Sequence, residues 1–196
     1  MILSLASKSA ARAAILKGAG VAFDVVSAGV DEAPLKAAAQ ARGENPKRIA
    51  EILAEAKAMA ASKGSLDLTI GADQTLELNG QLFDKAETLA EARENLMALR
   101  GRTHHLHAAT ALAQDGRIVW RDVQTASLTM RDFSDDFAEQ YLAQNADAAL
   151  ACVGGYELEG EGVQLFSAID GDYFTILGLS ILPLLAELRR LELVTA

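Results

Sequence analysis

The sequence is poor in cysteine and proline. Cys152 is the only cysteine in 196 residues, so no disulfide can form within the chain, and a reducing compartment is expected. Three prolines leave no proline-rich linker that would separate two domains. A chain of this length buries an ordinary core, and we predict a single domain over residues 1–196.

Long apolar runs are also missing. No stretch approaches the roughly 20 apolar residues that span a bilayer. The opening segment, Met1 to Lys8, has no basic residue ahead of its apolar run, and that run is too short for a secretory signal peptide. Both absences favour a cytoplasmic protein that has no membrane partner.

Basic residues are outnumbered by acidic ones. The chain has 18 Lys and Arg against 27 Asp and Glu, which gives a formal net charge of −9. A nucleic-acid partner is therefore disfavoured, because binding a phosphate backbone needs a basic surface. A small phosphorylated ligand remains compatible with this composition, since a few well-placed Lys and Arg side chains can hold it.

Short apolar segments alternate with helical patterns along the chain, which predicts a mixed α/β fold. The first six residues predict a buried strand, and a helix is predicted over Ala10–Gly18. Another helix begins near Pro46 and runs to Gly64. Asn79-Gly80 predicts a β-hairpin, and Asp115-Gly116 joins two further strands, so at least one strand pair is antiparallel. The predicted helix caps are Ser9, Thr88 and Ser134.

Four other segments have less regular patterns. Residues 29–46 are predicted to form a loop with one helical turn near Leu35 to Ala41. Leu66 to Ala72 predicts a strand that leads to Asp73. Val163 to Ile169 is predicted to be a strand and Tyr173 to Leu177 an extended segment.

The first candidate site is the segment from Ser7 to Arg12, between the first strand and the first helix. A helix N-terminus offers free N–H groups and the positive end of the helix dipole to an anion. The hydroxyls of Ser7 and Ser9 and the guanidinium of Arg12 add donors suited to phosphate. The segment lacks the glycines of a Walker loop. On local signal alone, an ordinary capped helix is the more common explanation.

Five charged side chains are further candidates. Asp73 follows an apolar strand, where a carboxylate can hold a metal ion or orient a water molecule. Lys57 lies on a helix whose other face is apolar, and Lys85 follows the hairpin. Glu32 and Glu159 lie in loops beside other acids. Taken separately, Asp73 is more commonly a turn aspartate, and the other four residues are more commonly solvated surface charges.

Histidine and cysteine give weaker evidence of chemistry. Of His104, His105 and His107, only the last two share a strand face, and a zinc site needs three or four ligands. We therefore interpret all three as strand residues. The chain has no G-x-S-x-G nucleophile motif. Cys152 lies among small apolar residues and is predicted to be a packed thiol.

The order of these segments resembles the Maf family of nucleotide pyrophosphatases along the whole chain. Leu5–Arg12 is similar to the family's L-A-S-x-S-P-x-R, and Gly71–Gln74 to its G-[AS]-D-[TQ]. Lys85 stands at the lysine of G-K-P. Further similar segments are Val30–Glu32, Ala54–Ala58, Leu99–His104, Gly155–Gly160 and Gly171–Leu179. The matches are collinear, and they are far more specific as a set than singly.

The resemblance implies a fold, a reaction and a site. The implied fold is α/β, an elongated mixed-sheet Maf/ITPase-like fold with two lobes around a central cleft. The implied enzyme is a homodimeric hydrolase that cleaves nucleoside triphosphates to the monophosphate and pyrophosphate with Mg²⁺ or Mn²⁺. The implied site residues are Asp73, Lys85 and Lys57 for catalysis, Ser7, Ser9 and Arg12 for phosphate binding, and Glu32, Asp73 and Glu159 for the metal.

Two subgroups of the family differ at a few of these positions. Asp73-Gln74, Cys152-Val153-Gly154 and Leu158-Glu159-Gly160 are more similar to the subgroup associated with methylated GTP than to the one that acts on canonical pyrimidine triphosphates. The resemblance therefore favours a modified purine triphosphate such as 7-methyl-GTP as the substrate.

The chain also departs from the family pattern. Ala10 and Ser180 replace prolines, and Ala11 stands where one subgroup has an arginine. Asp84-Lys85-Ala86 replaces G-K-P, which puts a carboxylate beside the lysine. A catalytically weak or inactive homologue that acts as a nucleotide-binding or interaction protein is therefore the alternative, and a phosphatase that releases inorganic phosphate is a third possibility.

Overall fold

The computed structural model describes residues 2–195 and has a mixed α/β architecture. Its strands are β1 (Leu3–Leu5), β2 (Asp24–Val25), β3 (Leu68–Leu78), β4 (Gln81–Phe83), β5 (Thr103–Gln114), β6 (Arg117–Met130) and β7 (Phe166–Asp170). Its helices are α1 (Ala10–Gly18), α2 (Glu32–Ala41), α3 (Pro46–Ser62), α4 (Leu89–Leu99), α5 (Asp135–Gln144), α6 (Ala146–Ala151), α7 (Tyr173–Ile176) and α8 (Ile181–Arg190). A 3-10 helix spans Glu161–Leu165.

All seven strands form one mixed sheet. Their order is β2-β1-β3-β5-β6-β7, and β4 pairs with β3 outside this path. β1 is parallel to both β2 and β3, whereas β4 runs antiparallel to β3 and β7 antiparallel to β6. The predicted α/β class and the predicted antiparallel pairing are confirmed. In the described part of the chain, no helix is long and apolar enough to cross a membrane.

The two predicted turns are tight two-residue connections. Asn79 and Gly80 have φ values of 53° and 80°, and Asp115 and Gly116 have φ values of 48° and 73°. Two consecutive positive φ values are typical of a type I′ hairpin turn, which Asn-Gly and Asp-Gly favour. β3 with β4, and β5 with β6, are therefore joined as their turn residues predict.

The predicted helix caps are also present. The hydroxyl of Ser9 accepts a hydrogen bond from the backbone N–H of Arg12, and that of Ser134 accepts one from Phe137. Thr88 caps α4 in the same way, through the N–H of Glu91. The boundaries of these helices therefore follow from local side-chain chemistry.

Three segments differ from their predictions. The helical turn predicted near Leu35 to Ala41 is confirmed, but the helix α2 begins earlier, at Glu32, because Asp31 caps it and Pro34 falls in the first turn, where no N–H is needed. Residues 173–176 are the short helix α7, not an extended segment. The strand predicted from Val163 begins only at Phe166, since the 3-10 helix occupies the preceding residues.

The described chain packs as two compact units, with three boundaries within β3, β5 and β6 and a fourth just before α7. The first unit comprises residues up to 74, 107–124 and those from 173 onward. The second unit comprises residues 75–106 and 125–172. The first unit has a large aliphatic core, with fully buried members such as Leu5, Ile70 and Leu184. A smaller core beside it is made almost entirely of alanines from α3 and β5.

Candidate active site

Close packing of α3 on β3 brings two elements of the site together. A Cβ atom on Gly71 would lie 2.2 Å from the carbonyl oxygen of Ala54 and 2.5 Å from the amide nitrogen of Ala58. Only glycine fits this contact, and the small side chains of Ala54 and Ala58 allow the same approach. Lys57 lies between those alanines on α3, and Asp73 lies two residues beyond Gly71 on β3. The contact therefore sets Lys57 beside Asp73.

A buried ammonium bridges two carboxylates at this point. The Nζ atom of Lys57 lies 2.6 Å from Oδ1 of Asp73 and 2.9 Å from Oε2 of Glu32. Lys57 and Asp73 are only 7% and 8% exposed, whereas the Glu32 side chain is half exposed. Three elements, α2, α3 and β3, each contribute one of the three residues.

The sequence context predicts that Asp73 lies at the end of its strand, but the structure places it within the strand. It is the sixth residue of an 11-residue strand, because β3 continues through Asp73 to its hairpin with β4. Burial raises the pKa of Asp73, while the charges of Lys57 and Arg12 oppose the rise. A carboxylate with a raised pKa is a stronger proton acceptor than an exposed one, and this suits a general base.

Arg12 is held in the first unit by three hydrogen bonds. Its Nε atom donates to the carbonyl oxygen of Gly178 at 2.8 Å. Its Nη1 atom donates to the carbonyl oxygen of Ala72 at 3.0 Å and to the hydroxyl of Ser7 at 3.2 Å. Burial lowers the pKa of Arg12, and the nearby carboxylates of Asp73 and Glu32 oppose that effect. The guanidinium stays charged, because arginine does not lose its proton in proteins.

The segment before α1 is ordered by its own hydroxyls. The backbone N–H of Ser9 donates to the Ser7 hydroxyl at 3.2 Å, and the Ser9 hydroxyl accepts from the N–H of Arg12 at 3.3 Å. The Ser7 hydroxyl thus receives hydrogen bonds from both Ser9 and Arg12. This arrangement joins the N-terminus of α1 to the Arg12 guanidinium.

Two residues near this cluster were not among the predicted site residues. The Gln74 amide donates to the carbonyl oxygens of Thr175 and Ile176, both at 2.9 Å, and so holds α7 against β3. Lys36 is half-buried on α2, one turn after Glu32. Burial lowers the pKa of Lys36, with Asp73 and Glu32 opposing. The four-residue spacing puts Lys36 on the same helix face as Glu32. This signal is usable only once residues 32–41 are known to be helical.

The structure thus brings Arg12, Glu32, Lys57 and Asp73 together within the first unit. Lys85 and Glu159 belong to the second unit, where both are exposed. Lys85 lies two residues after the end of β4, and Glu159 lies in a turn before the 3-10 helix. The roles predicted for these two residues stay predictions.

The second unit also contains Cys152 and the first two histidines. Burial raises the pKa of Cys152 to about 11, which disfavours the thiolate form. His104 is fully buried, and its Nε2 atom lies 2.6 Å from the Tyr156 hydroxyl. His105 Nδ1 lies 3.0 Å from the Ser127 hydroxyl. Over residues 2–195, no group of three or more His, Cys, Asp and Glu side chains is placed to hold a metal ion.

Two of the departures from the family pattern leave the local structure intact. Ala10 is the first residue of α1, and the helix begins there without the proline, since Ser9 caps it. Ser180 is buried before α8, and its hydroxyl lies 2.9 Å from that of Thr110. Neither substitution removes a hydrogen bond that the elements need, because a proline would supply no N–H at either position.

Arg12 and Lys57 lie beside Asp73 on β3, and guanidinium and ammonium groups are the usual donors to phosphate. The fold and the cluster thus define an α/β protein with a polar site suited to a phosphorylated ligand. The comparisons identify its family: the chain belongs to the Maf family, described as Maf-like protein, which matches residues 2–191.

Two curated relatives are similar over nearly their whole length. The chain is 54% identical over 187 residues to a nucleoside triphosphate pyrophosphatase of Caulobacter vibrioides, covering 95% of this chain and 94% of that protein. It is 49% identical over 189 residues to a 7-methyl-GTP pyrophosphatase of Brucella abortus, covering 96% and 95%. A solved structure of a HAM1 protein from Coxiella burnetii matches with a TM-score of 0.46 and 18% identity, covering 68% of this chain and 75% of that one.

Proposed function

We propose that this chain hydrolyses nucleoside triphosphates to the nucleoside monophosphate and pyrophosphate, as a hydrolase that acts on phosphoric anhydrides. The observation that carries the proposal is the cluster in which Lys57 bridges Asp73 and Glu32, close to the anchored guanidinium of Arg12. The names of the two curated relatives support the same reaction.

The phosphate groups are bound from the N-terminus of α1. A triphosphate carries about four negative charges, so its hydrolysis depends mainly on positioning and charge neutralisation. Ser7, Ser9 and Arg12 supply hydroxyl and guanidinium donors there, and their mutual hydrogen bonds hold them in place before a ligand arrives. Lys57 adds a positive charge, and the role of Lys85 stays a prediction from the resemblance.

Asp73 is proposed to take the proton from the attacking water. The oxygen of that water forms a bond to the α-phosphorus, and the bond from this phosphorus to the oxygen bridging to the β-phosphorus breaks. Pyrophosphate leaves with the electron pair of the broken bond. Burial raises the pKa of Asp73, which increases its proton affinity, while Lys57 keeps the carboxylate oriented.

Two carboxylates of the first unit support the proposal of a divalent cation. Glu32 and Asp73 both contact the ammonium of Lys57, and Mg²⁺ is usually held by one or two carboxylates together with substrate phosphates. We propose Glu32 and Asp73 as ligands of Mg²⁺ or Mn²⁺ beside Lys57, and the metal-binding role of Glu159 stays a prediction from the resemblance. A bound metal ion would neutralise phosphate charge and lower the pKa of bound water.

The proposed substrate is a modified purine triphosphate such as 7-methyl-GTP. Gln74, Cys152 and Glu159 stand at the positions that favour this subgroup, and one of the two curated relatives carries that name. The name of the other relative specifies nucleoside triphosphates but no base, so it supports the reaction and not the choice of base. We further propose that the protein is cytoplasmic and forms a homodimer. Sedimentation at several protein concentrations would test the homodimer.

Product analysis tests this function. The purified chain is incubated with Mg²⁺ and, in separate reactions, 7-methyl-GTP, GTP, UTP and dTTP, and nucleotides and phosphates are separated by anion exchange. We expect monophosphate and pyrophosphate in equal amounts, with the largest kcat/KM for 7-methyl-GTP.

Each of the other outcomes contradicts a different part of the proposal. Inorganic phosphate and a diphosphate as products would indicate a phosphatase. Nucleotide binding without turnover by folded protein would favour the nucleotide-binding alternative, which the departures at Ala11 and Asp84 motivate. A clear lead for UTP would show that the subgroup is wrong, although the reaction would stand.

A further inference from the structure

A glycine turn carries the main-chain oxygen that anchors Arg12. Gly178 has a φ of 94°, and its carbonyl oxygen accepts the hydrogen bond from Nε of Arg12 at 2.8 Å. Nη1 of the same guanidinium donates to the carbonyl oxygen of Ala72 and to the Ser7 hydroxyl. Over residues 2–195, these three hydrogen bonds involve only Nε and Nη1, so Nη2 is left to donate to a ligand. The orientation of Arg12 therefore depends on where the Gly178 carbonyl lies.

Gly178 follows the short helix α7 and closes its C-terminus. The N–H of Gly178 donates to the carbonyl oxygen of Thr175, and the N–H of Leu179 donates to that of Phe174, both at 3.1 Å. These two bonds and the positive φ of Gly178 form a Schellman motif, which ends a helix at a glycine. The four residues of α7 are too few for a helix that is stable by itself, because a first turn fixes several dihedral angles for one hydrogen bond. The position of Gly178 thus depends on what holds α7 in place.

A half-buried side chain of β3, that of Gln74, holds α7. Its amide nitrogen donates to the carbonyl oxygens of Thr175 and Ile176, both at 2.9 Å. A Cβ atom built on Gly178 would lie 3.5 Å from both Oε1 of Gln74 and Nε of Arg12. The main chain of Gly178 therefore lies between these two side chains, and both act on the same turn.

These hydrogen bonds close a ring around the proposed proton acceptor. Ala72 and Gln74, the two neighbours of Asp73 on β3, both belong to the ring. The carbonyl of Ala72 accepts from Arg12, and the amide of Gln74 donates to α7. The ring continues through α7 to Gly178, whose carbonyl accepts from Arg12, and all of it lies in the first unit. A shift of α7 would therefore move Arg12 relative to Asp73.

We propose that Gln74 is a positioning residue for phosphate binding. By fixing α7 and the Gly178 carbonyl, it holds the Arg12 guanidinium in the orientation that receives the triphosphate. This inference rests on the proposed function, and the resemblance uses Gln74 only to distinguish two subgroups. A guanidinium that is fixed before the ligand arrives loses less conformational freedom on binding. The competing explanation is that Gln74 stabilises α7 without any effect on Arg12.

The test measures whether Gln74 acts on the ligand through Arg12. Gln74→Met removes the two donated hydrogen bonds but keeps a side chain of similar length. Arg12→Lys keeps the positive charge, and the double variant completes a double-mutant cycle. Gln114→Met is the matched control, because the Gln114 amide also donates to a main-chain carbonyl of the first unit, that of Leu66, which precedes β3.

The ligand is inorganic triphosphate with Mg²⁺, which presents the phosphate groups of the substrate without a base. Its affinity is measured by calorimetry, and thermal midpoints establish that each variant is folded. KM and kcat are measured on the nucleoside triphosphate that the wild type hydrolyses best. Gly178→Ala tests the same turn from its other side, because a φ of 94° strains any residue with a Cβ atom.

We expect Gln74→Met to weaken the binding of inorganic triphosphate by about tenfold, within the range for residues that share one hydrogen-bond network. KM should rise by a similar factor with a smaller change in kcat, because ground-state binding is lost. In the Arg12→Lys background, Gln74→Met should change the affinity about twofold or less. Gly178→Ala should weaken binding as well, whereas Gln114→Met should bind as wild type even if its thermal midpoint falls.

Other results overturn the inference. Equal affinity for inorganic triphosphate in Gln74→Met and wild type would leave Gln74 with only a structural role in α7. A full loss that persists in the Arg12→Lys background would show that Gln74 acts without Arg12, and an equal loss in Gln114→Met would show a general effect on the fold. A wild type that does not bind inorganic triphosphate would also overturn it. The proposed function fails separately, if the wild type binds inorganic triphosphate yet releases no pyrophosphate from any nucleoside triphosphate.

Discussion

Asp73 shows how a single residue acquires chemistry from its neighbours. A lone aspartate in a strand would be an ordinary acid, but Asp73 is 8% exposed and has the ammonium of Lys57 at 2.6 Å. Burial favours the protonated form, whereas the two nearby cations favour the carboxylate. These opposing effects leave Asp73 as a carboxylate that is more basic than an exposed one, so it can accept a proton. Loss of either influence should therefore change the reaction more than it changes the fold.

His104 gives a residue-scale prediction about pH. Burial lowers its pKa to about 4 from the usual 6.5, and over the described residues its Nδ1 atom has no hydrogen-bond partner that could stabilise a second proton. At a pH between these two pKa values, His104 is protonated in the unfolded chain and neutral in the folded chain. Stability contributed by neutral His104 is therefore complete above pH 6.5 and is lost as the pH falls toward 4, by roughly 3 kcal/mol in total.

Urea unfolding at pH 7, 6 and 5 measures this effect. The free energy of unfolding should fall with acidification in the wild type, and the fall should be smaller in His104→Gln. His105→Gln is the control, because His105 is only half-buried and already contacts the Ser127 hydroxyl. The account of His104 is wrong if wild type and His104→Gln lose the same free energy between pH 7 and pH 5.

At the scale of elements, the contact between α3 and β3 decides whether the site exists. Gly71→Ala would place a methyl group 2.2 Å from the Ala54 carbonyl oxygen, so α3 would have to move away from the strand. We expect a loss of about 2 kcal/mol or more in stability, as for other overpacked contacts. Activity per folded molecule should fall as well, since Lys57 would leave Asp73.

Gly18→Ala is the matched control for this prediction. Gly18 ends α1, and a Cβ there would meet no atom within 4 Å. Alanine is also the better helix former, so this variant should be as stable as wild type or slightly more so. If Gly71→Ala unfolds at the same urea concentration as Gly18→Ala, the close packing of α3 on β3 does not position the site.

The elements differ in how far the sequence could predict them. Ser9, Thr88 and Asn79-Gly80 act on their own neighbouring backbone, so the helix starts and the hairpin were predictable. α7 was not, because Tyr173–Ile176 is rich in strand-forming residues and its carbonyls are held by Gln74, about 100 positions earlier in the chain. Tertiary contacts of this kind override local propensity.

The composition of the site was predictable in part, and only through the resemblance. Single-residue arguments favoured a turn aspartate for Asp73 and solvated charges for Glu32 and Lys57, because the contacts among these residues depend on how α2, α3 and β3 pack. Collinear motifs singled out these residues without giving their contacts. Lys36 belongs to none of the quoted motifs. Because the helix was not predicted to begin at Glu32, the four-residue helical spacing between Glu32 and Lys36 was not recognised.

At the scale of the whole molecule, the charge distribution agrees with the proposed ligand. The chain has a net charge of −9, whereas binding a phosphate backbone needs a basic surface. Arg12 and Lys57 nevertheless lie beside Asp73 in the first unit. The contrast between the acidic chain and these two cations supports a small phosphorylated ligand as the proposed substrate.

The most direct test of the account is the rate of pyrophosphate release by Asp73→Asn. The substitution removes the proton acceptor and one negative charge with almost no change in volume, and Lys57 keeps Glu32 as its partner at 2.9 Å. Asp24→Asn, at an exposed position of β2 in the same unit, is the control. We expect both variants to fold, with kcat lowered about 10²–10⁴-fold in Asp73→Asn alone. An unchanged rate in Asp73→Asn would contradict the proposed mechanism, even if the wild type is an active pyrophosphatase.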